Sequence, residues 1–311
     1  MIRKIVFSAV VLVAIGFLVY WQQGGQNEAA KTGEVHFAPT HQKVVDEMLA
    51  MARVGPEDVI YDLGCGDGRI VITAAQRWRT RGVGIDIDPR LVRLSQRNAV
   101  RAKVENLVSF YEADLFATDL SEATVAALYL LPELNLRLRP KLLREMRPGS
   151  RVVSHSWDMG DWTADEARLS TPYWNEWVPG DEPKRSPLFM WVIPANVSGV
   201  WRWSEGKDGG IKELRISQRF QKGQGVISAP TGEMPVLVEI TGNRLRVTTQ
   251  EKNAAKTRKT LYEGTAEGDV IEGTAMVNNG AIEEGFPWRA SRTPHTMMDL
   301  ENKTPSQRKE K

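Results

Sequence analysis

The sequence predicts an α/β fold with a mostly parallel sheet, followed by a separate antiparallel β region. Three observations predict it. Strand-like and helical patterns alternate between residues 36 and 195. That alternation builds a parallel sheet covered on both faces. From Gly199 to Arg292 there is no helical pattern, only short alternating runs broken by Gly-Asn and Gly-Asp pairs. Such pairs close two-residue hairpins. The first strand runs straight into a turn with three glycines, "DLGCGDGRI", where a parallel sheet binds its ligand.

The elements follow in order. In "HFAPTHQKVVDEMLAMARVGPED", Thr40 is expected to cap a helix whose apolar face is Val44, Val45, Met48, Leu49 and Ala52. Gly55 and Pro56 are expected to stop it. "DVIYDLG" reads as strand and "GRIVITAAQRW" as helix. "GVGIDID" reads as a short buried strand, and Pro89 opens the helix "PRLVRLSQRNAVRA". "LVSFYEAD" and "TVAALYLL" are strands, and "PELNLRLRPKLLREM" is a helix expected to break at Pro140. "PGSRVVSHSW" is a turn and a strand, and "PLFMWVIPA" a late strand. Beyond residue 195, "VLVEITGNRLRVTT" and "KTLYEGTAEGDVIEGTAMV" read as hairpins, and Trp201, Trp203 and Trp288 are placed to fill a small barrel or sandwich. The tail, residues 293–311, is polar and expected to be disordered.

The N-terminus differs from the rest. Arg3 and Lys4 precede an apolar run from Ile5 to Trp21. As a helix it spans about 25 Å, slightly short of a hydrocarbon core of about 30 Å. Residues 1–21 are expected to be a membrane anchor or a signal segment, and residues 22–35 a linker. The positive flank would place the body on the extracytoplasmic side.

Composition removes some classes. The chain of 311 residues has 41 Lys and Arg against 39 Asp and Glu, a net charge of +2. That balance gives no argument for nucleic acid. One cysteine, Cys65, excludes an internal disulfide and a thiolate zinc cluster, and the four histidines show no metal-ligand spacing. No metal is expected.

The glycine turn specifies a ligand. A dinucleotide site wants G-x-G-x-x-G with pyrophosphate on the helix N-terminus. Here the order is G-x-G-x-G, with Asp62 before it and Asp67 inside it. Two carboxylates beside a pyrophosphate repel it by on the order of 1 kcal/mol per close pair, even in water. They suit a ligand with positive groups, such as S-adenosylmethionine, which carries an ammonium and a sulfonium. Asp86, ending the second strand, is placed to accept from the ribose diol at about 1.5–3 kcal/mol per hydrogen bond. Asp114, ending the third, can accept from the adenine amino group, and the Leu115 N–H can donate to the ring. Cys65 reads as a small packed residue.

With these residues in place the chain resembles class I S-adenosylmethionine-dependent methyltransferases. "FAPT", "DLGCGDGRI" and "LSEATVAALYLLPELNLRLRPKLLREMRPGSRVVSHSWDMGDW" resemble the small lysine methyltransferases that modify the ATP synthase c subunit or the adenine nucleotide translocase, and their bacterial relatives. The resemblance covers roughly His36 to Trp162. It implies a Rossmann-like sheet of seven strands and S-adenosyl-L-methionine as cofactor, with Thr40, Asp62, Gly64, Gly66, Asp86, Asp114 and Leu115 at the cofactor. It makes "LYLLPELN" the wall facing the methyl acceptor, with Leu130 and Leu131 as apolar surfaces. Tyr129 and Glu133 would orient the acceptor amine. His155, Trp157 and Asp158 end the fifth strand, where sites form, although packing accounts for them as well. The implied partner is a protein lysine, a membrane protein among the candidates. A small-molecule methyltransferase and a non-catalytic envelope binding protein on the same fold are the alternatives. Cofactor supply favours a cytoplasmic or matrix side, against the charge rule.

Overall fold

The computed structural model describes residues 37–174, 182–204, 210–229, 232–253, 256–278 and 283–301. Its first part is a sheet of seven strands in the order β3-β2-β1-β4-β5-β7-β6. The strands are β1 (Val59–Leu63), β2 (Arg81–Asp86), β3 (Val108–Glu112), β4 (Val125–Leu128), β5 (Arg151–His155), β6 (Glu166–Leu169) and β7 (Pro187–Val192). β7 runs opposite to the other six. The helices are α1 (Gln42–Met51), α2 (Arg69–Trp78), α3 (Pro89–Ala102) and α4 (Pro132–Glu145). The central strands β1 and β4 are buried at every position, which is why they read as unbroken apolar runs. One face is covered by α1, α2 and α3 through Val44, Met48, Ile70, Val71 and Val92. The other is covered by Leu138 and Leu142 of α4 with Trp162 and Trp191. Strand order reverses between β1 and β4, which places the binding crevice at their carboxyl ends.

The second part is a closed barrel of eight antiparallel strands rather than a sandwich. Its strands are β8 (Gly199–Ser204), β9 (Ile211–Arg219), β10 (Lys222–Ala229), β11 (Gly232–Thr241), β12 (Arg244–Asn253), β13 (Lys256–Glu267), β14 (Val270–Asn278) and β15 (Glu283–Arg292). Each pairs with its neighbour in sequence, and β15 closes on β8. Trp201, Trp203 and Trp288 are buried inside it with Tyr262, as the alternation in the sequence requires.

The β9–β10 turn of the barrel packs on the sheet domain, as does Gly242, where an added Cβ would stand 3.1 Å from Gly149 Cα. Phe220, between β9 and β10, has a positive φ of 53° and is 4% exposed. It belongs to the same apolar cluster as Trp162 and Trp191 and stacks on Trp162 with ring centroids 5.7 Å apart. Gln221 beside it accepts from the Trp162 indole at 2.9 Å and donates to Thr163 O and Asp165 Oδ2. Asp161 is held from both sides, by Arg139 of α4 at 2.6 Å and by Arg219 of β9.

Several local expectations are corrected. Thr40 does not cap α1; His41 is the capping residue, accepting from the Lys43 N–H at 3.2 Å. α1 ends before Gly55, because Arg53 turns left-handed at φ 50° and Val54 N–H returns to Leu49 O. α4 does not break at Pro140 and runs through it. Proline there costs about 3 kcal/mol. Burial of Asn135, Leu138 and Leu142 on one face, with Arg139 paired to Asp161 and Glu301, offsets that cost. β6 lies in "DEARLS", whose exposed, short edge pattern carries no strand signal of its own; among the described residues it pairs only with β7. Thr293 to Glu301 is not a loose tail. Thr293 N–H donates to Val200 O at 2.7 Å, Met298 N–H to Ser198 Oγ at 2.8 Å, and Leu300 is buried. Residues 302–311 lie outside the described residues, as do the expected N-terminal anchor and the linker. Among the described residues no helix is long and apolar enough to cross a membrane.

Candidate active site

The glycine turn leaves β1 and is tied to the neighbouring strand β2. Gly64 and Cys65 N–H both donate to Ile85 O on β2, at 2.8 and 2.9 Å. Gly64 (φ 89°) and Gly68 (φ 79°) take left-handed conformations that a side chain resists. They also leave no room for one. A Cβ on Gly64 would stand 3.0 Å from Leu130 Cδ2, and one on Gly68 would stand 2.7 Å from Phe110. The first of these contacts puts the end of β4 directly against the turn.

The acidic residues differ in their partners. Asp67 is neutralised by its neighbour: Arg69 grips both its oxygens, Nε to Oδ1 at 2.9 Å and Nη2 to Oδ2 at 2.6 Å. Asp86 accepts from Gly66 N–H and from Asp88 N–H, both at 2.9 Å. A carboxylate has about four acceptor directions, so it retains capacity for a ligand diol while pinning the turn. Asp62 stands apart. It is 2% exposed, and its Oδ2 has no hydrogen-bond partner among the described residues. Burial, then the charges of Asp67 and Asp86, push its carboxyl up to about 8. A buried carboxyl without a partner is a place for a cationic group. Burial also pushes the Cys65 thiol up, which leaves it protonated and unreactive.

The third strand contributes less tightly. Glu112 of β3 pairs in register with Asp86, so Asp114 follows just beyond the same edge. Asp114 is exposed, with Oδ1 accepting from Phe116 N–H at 2.8 Å, and Leu115 is half-buried. The structure therefore ties the turn that carries Asp62, Gly64 and Gly66 to Asp86 and its strand by hydrogen bonds. It sets Asp114 and Leu115 on the adjoining strand end.

The ends of β4 and β5 adjoin this turn. Tyr129 is half-buried and stacks on His155, with ring centroids 4.0 Å apart. Burial and nearby Tyr173 raise its hydroxyl. His155 is 3% exposed; its Nδ1 lies 3.2 Å from Thr40 Oγ1, and its Nε2 has no partner among the described residues. Burial lowers its imidazole to about 4, so the ring is neutral at physiological pH. Leu130 is buried, whereas Leu131 is 53% exposed. Glu133 is exposed in the first turn of α4. Thr40 links His155 to the glycine turn, since Arg69 Nη1 donates to its carbonyl at 2.6 Å.

Two residues emerge only from the structure. Arg69 binds Asp67 and Thr40 at once; the neighbouring "DGR" is its signal in the sequence. Asn135 is fully buried on α4, and its Nδ2 reaches Trp157 O at 3.2 Å and Asp158 O at 3.4 Å. It anchors the segment after β5, where Ser156 has a φ of 68°. Among the described residues no cluster of three or more His, Cys, Asp or Glu is arranged to hold a metal.

One prediction arises directly. Asp86→Ala frees the Gly66 N–H and takes away the carboxylate that the sequence reading expects at the ribose. Cofactor affinity is expected to fall at least tenfold, about the worth of one charged hydrogen bond. Calorimetry that gives an unchanged Kd removes Asp86 from that role.

Comparison with known proteins agrees with the geometry. The family model of the ANTKMT methyltransferase domain matches residues 62–166. A protein-lysine N-methyltransferase of Saccharolobus islandicus (strain REY15A) is 42% identical over 133 residues, covering 42% of this chain and 83% of that protein. The ATP synthase c-subunit lysine N-methyltransferase of Homo sapiens is 33% identical over 129 residues, covering 42% of this chain and 54% of that protein. The chain thus spans about half the length of this human relative. A crystal structure of an RNA methyltransferase from Salinibacter ruber with S-adenosyl-L-homocysteine is 48% identical, with a TM-score of 0.45 over 51% of this chain and 96% of that one. The glycine turn, the orphaned buried carboxyl, the family match and the Saccharolobus relative converge: the chain belongs to the class I S-adenosylmethionine-dependent methyltransferases, in the family that includes the ANTKMT-type lysine methyltransferases.

Proposed function

We propose that this methyltransferase is a protein-lysine N-methyltransferase. The observation that carries the reading is the pairing of two unlike half-sites on one sheet edge. One has an unpartnered buried acid, Asp62; the other has a neutral, aromatic surface of Tyr129 and His155 beside Leu130. The names of the Saccharolobus and human relatives support lysine as the acceptor.

The residues present fit S-adenosylmethionine. Asp62 would hold its ammonium, Asp86 its ribose, Asp114 its adenine amino group and the Leu115 N–H its ring, with Gly64 and Gly66 allowing close backbone approach. Thr40 would close the pocket from the α1 side. The bound cofactor supplies a methyl group on an already activated leaving group. The protein's part is orientation and exclusion of water. A lysine acceptor must also arrive neutral, which costs about 4.6 kcal/mol at pH 7 from a reference pKa near 10.4. Leu130 and the Tyr129 ring disfavour the charged amine and lower that cost. Tyr129 and Glu133 would steer the amine, Glu133 from the rim. The apolar run Ile5–Trp21 supports a tether that keeps the enzyme near membrane proteins; a C-terminal reporter fusion reads the side on which the body lies.

The test compares a strain lacking the gene with its parent by mass spectrometry of lysine methylation. One or more methyl-lysines are expected to vanish. Radiolabelled methyl groups should enter protein of the deletion strain's membrane or soluble fraction and resist ribonuclease. Label in RNA or in small molecules, or none at all, refutes the lysine reading.

A further inference from the structure

Burial of a polar atom without a partner is costly, and the acceptor half-site contains such an atom with no role yet given to it. His155 Nε2 is enclosed and has no partner among the described residues, whereas its Nδ1 is beside Thr40 Oγ1 at 3.2 Å. The ring cannot turn freely. Tyr129 covers one face at 4.0 Å, and the Thr40 backbone is fastened to the glycine turn through Arg69 and Asp67. A chain of direct contacts thus runs from the imidazole to the cofactor loop. The second path is as short: Tyr129 adjoins Leu130, whose Cδ2 abuts Gly64.

We propose that His155 is an acceptor-binding residue, whose bare Nε2 accepts one N–H of the neutral lysine amine and so turns the amine's lone pair toward the glycine turn. This rests on the lysine reading above. The arrangement requires the imidazole proton on Nδ1, donated to Thr40 Oγ1. His155 is not the base that neutralises the substrate. With the imidazole near 4 and a lysine near 10.4, that transfer is disfavoured by about a millionfold; the ammonium loses its proton to solvent before it enters. The amine lone pair then forms the new C–N bond as the sulfur–methyl bond breaks, its electron pair staying on sulfur. The methylated ammonium gives up its extra proton to solvent on leaving. What His155 supplies is direction, by holding one N–H behind the attacking nitrogen.

The test uses the full chain with protein extract of the deletion strain as acceptor. His155→Ala should bind S-adenosylhomocysteine within about twofold of wild type in calorimetry. Its kcat/KM for label entering protein should fall about tenfold to a hundredfold, the worth of one buried hydrogen bond. His155→Gln, which keeps an acceptor atom, should recover part of that loss, which packing alone does not explain. Nitrogen-15 NMR of the free protein near neutral pH should show the imidazole proton on Nδ1. A proton on Nε2 overturns the proposal, and does so even if the alanine variant fails to fold. Full activity of His155→Ala with cofactor affinity intact also overturns it, while leaving the lysine reading standing. A wild-type enzyme that labels no lysine overturns that reading, and this proposal with it.

Discussion

Asp62→Asn is expected to weaken cofactor binding at least a hundredfold and, in the same protein, to raise the stability of the ligand-free form at pH 8. Both effects follow from one buried carboxyl. The folded state holds its proton up to about pH 8, whereas the reference value is 3.8. Between those values the unfolded chain releases a proton that the folded chain retains. Stability therefore falls as pH rises from about 4 to about 8, and levels off above. Asparagine has the same shape and no proton to lose, so its pH slope across that window is shallower. The difference at pH 8 is on the order of a few kcal/mol, at about 1.4 kcal/mol for each tenfold change in proton affinity. Binding runs the other way. A cationic ammonium beside Asp62 restores the charged form, so wild-type binding below pH 8 releases a proton from this group, which the variant lacks. Calorimetry in buffers of different ionisation enthalpy measures that difference directly. Thermal melts from pH 5 to 9 measure the stability slope. If Asp62→Asn binds S-adenosylhomocysteine as wild type does, the carboxyl is not the ammonium site.

Phe220→Ala should cost about 3–5 kcal/mol, the usual range for emptying a buried aromatic position. Here the loss falls at a joint. Phe220 is the barrel residue that enters the core of the sheet domain, where it stacks on Trp162. Arg139 and Arg219 lie over its ring at 5.2 and 5.8 Å, and both pair with Asp161. Asp161 belongs to the segment after β5 that Asn135 also anchors. Removing the ring should split unfolding into two transitions in calorimetry, one for each part. It should also slow methyl transfer to protein more than it weakens cofactor binding, because the disturbed segment follows β5, whose end carries the proposed acceptor residue His155. A single transition displaced by less than about 1 kcal/mol shows that the barrel is held by something else.

Local chemistry makes the cofactor half readable. The residues that bend the glycine turn and pin it to β2 are contiguous or lie at successive strand ends, so Gly64, Gly66 and Asp86 need only a strand–turn–helix reading. The sequence pairs Asp67 with Asp62 as carboxylates for a cationic ligand, whereas a fork with Arg69 two residues away already satisfies Asp67. The proposed acceptor half is less readable. His155 carries no motif, and its partner Thr40 lies 115 residues away in sequence. Glu133 stands out as a carboxylate beside "LYLL", yet the first turn of α4 leaves it exposed to solvent.

By itself, then, the sequence determined what short-range physics controls: which runs are strands and which helices, the glycine turn, and the acidic residue at each successive strand end. Only the tertiary structure decided that α4 continues through Pro140, that β6 forms at all, that the β region closes as a barrel and plugs the sheet domain with Phe220, and that Thr293–Glu301 packs. Each of those outcomes depends on burial against residues far along the chain, whose free energy outweighs the local preference that a sequence displays.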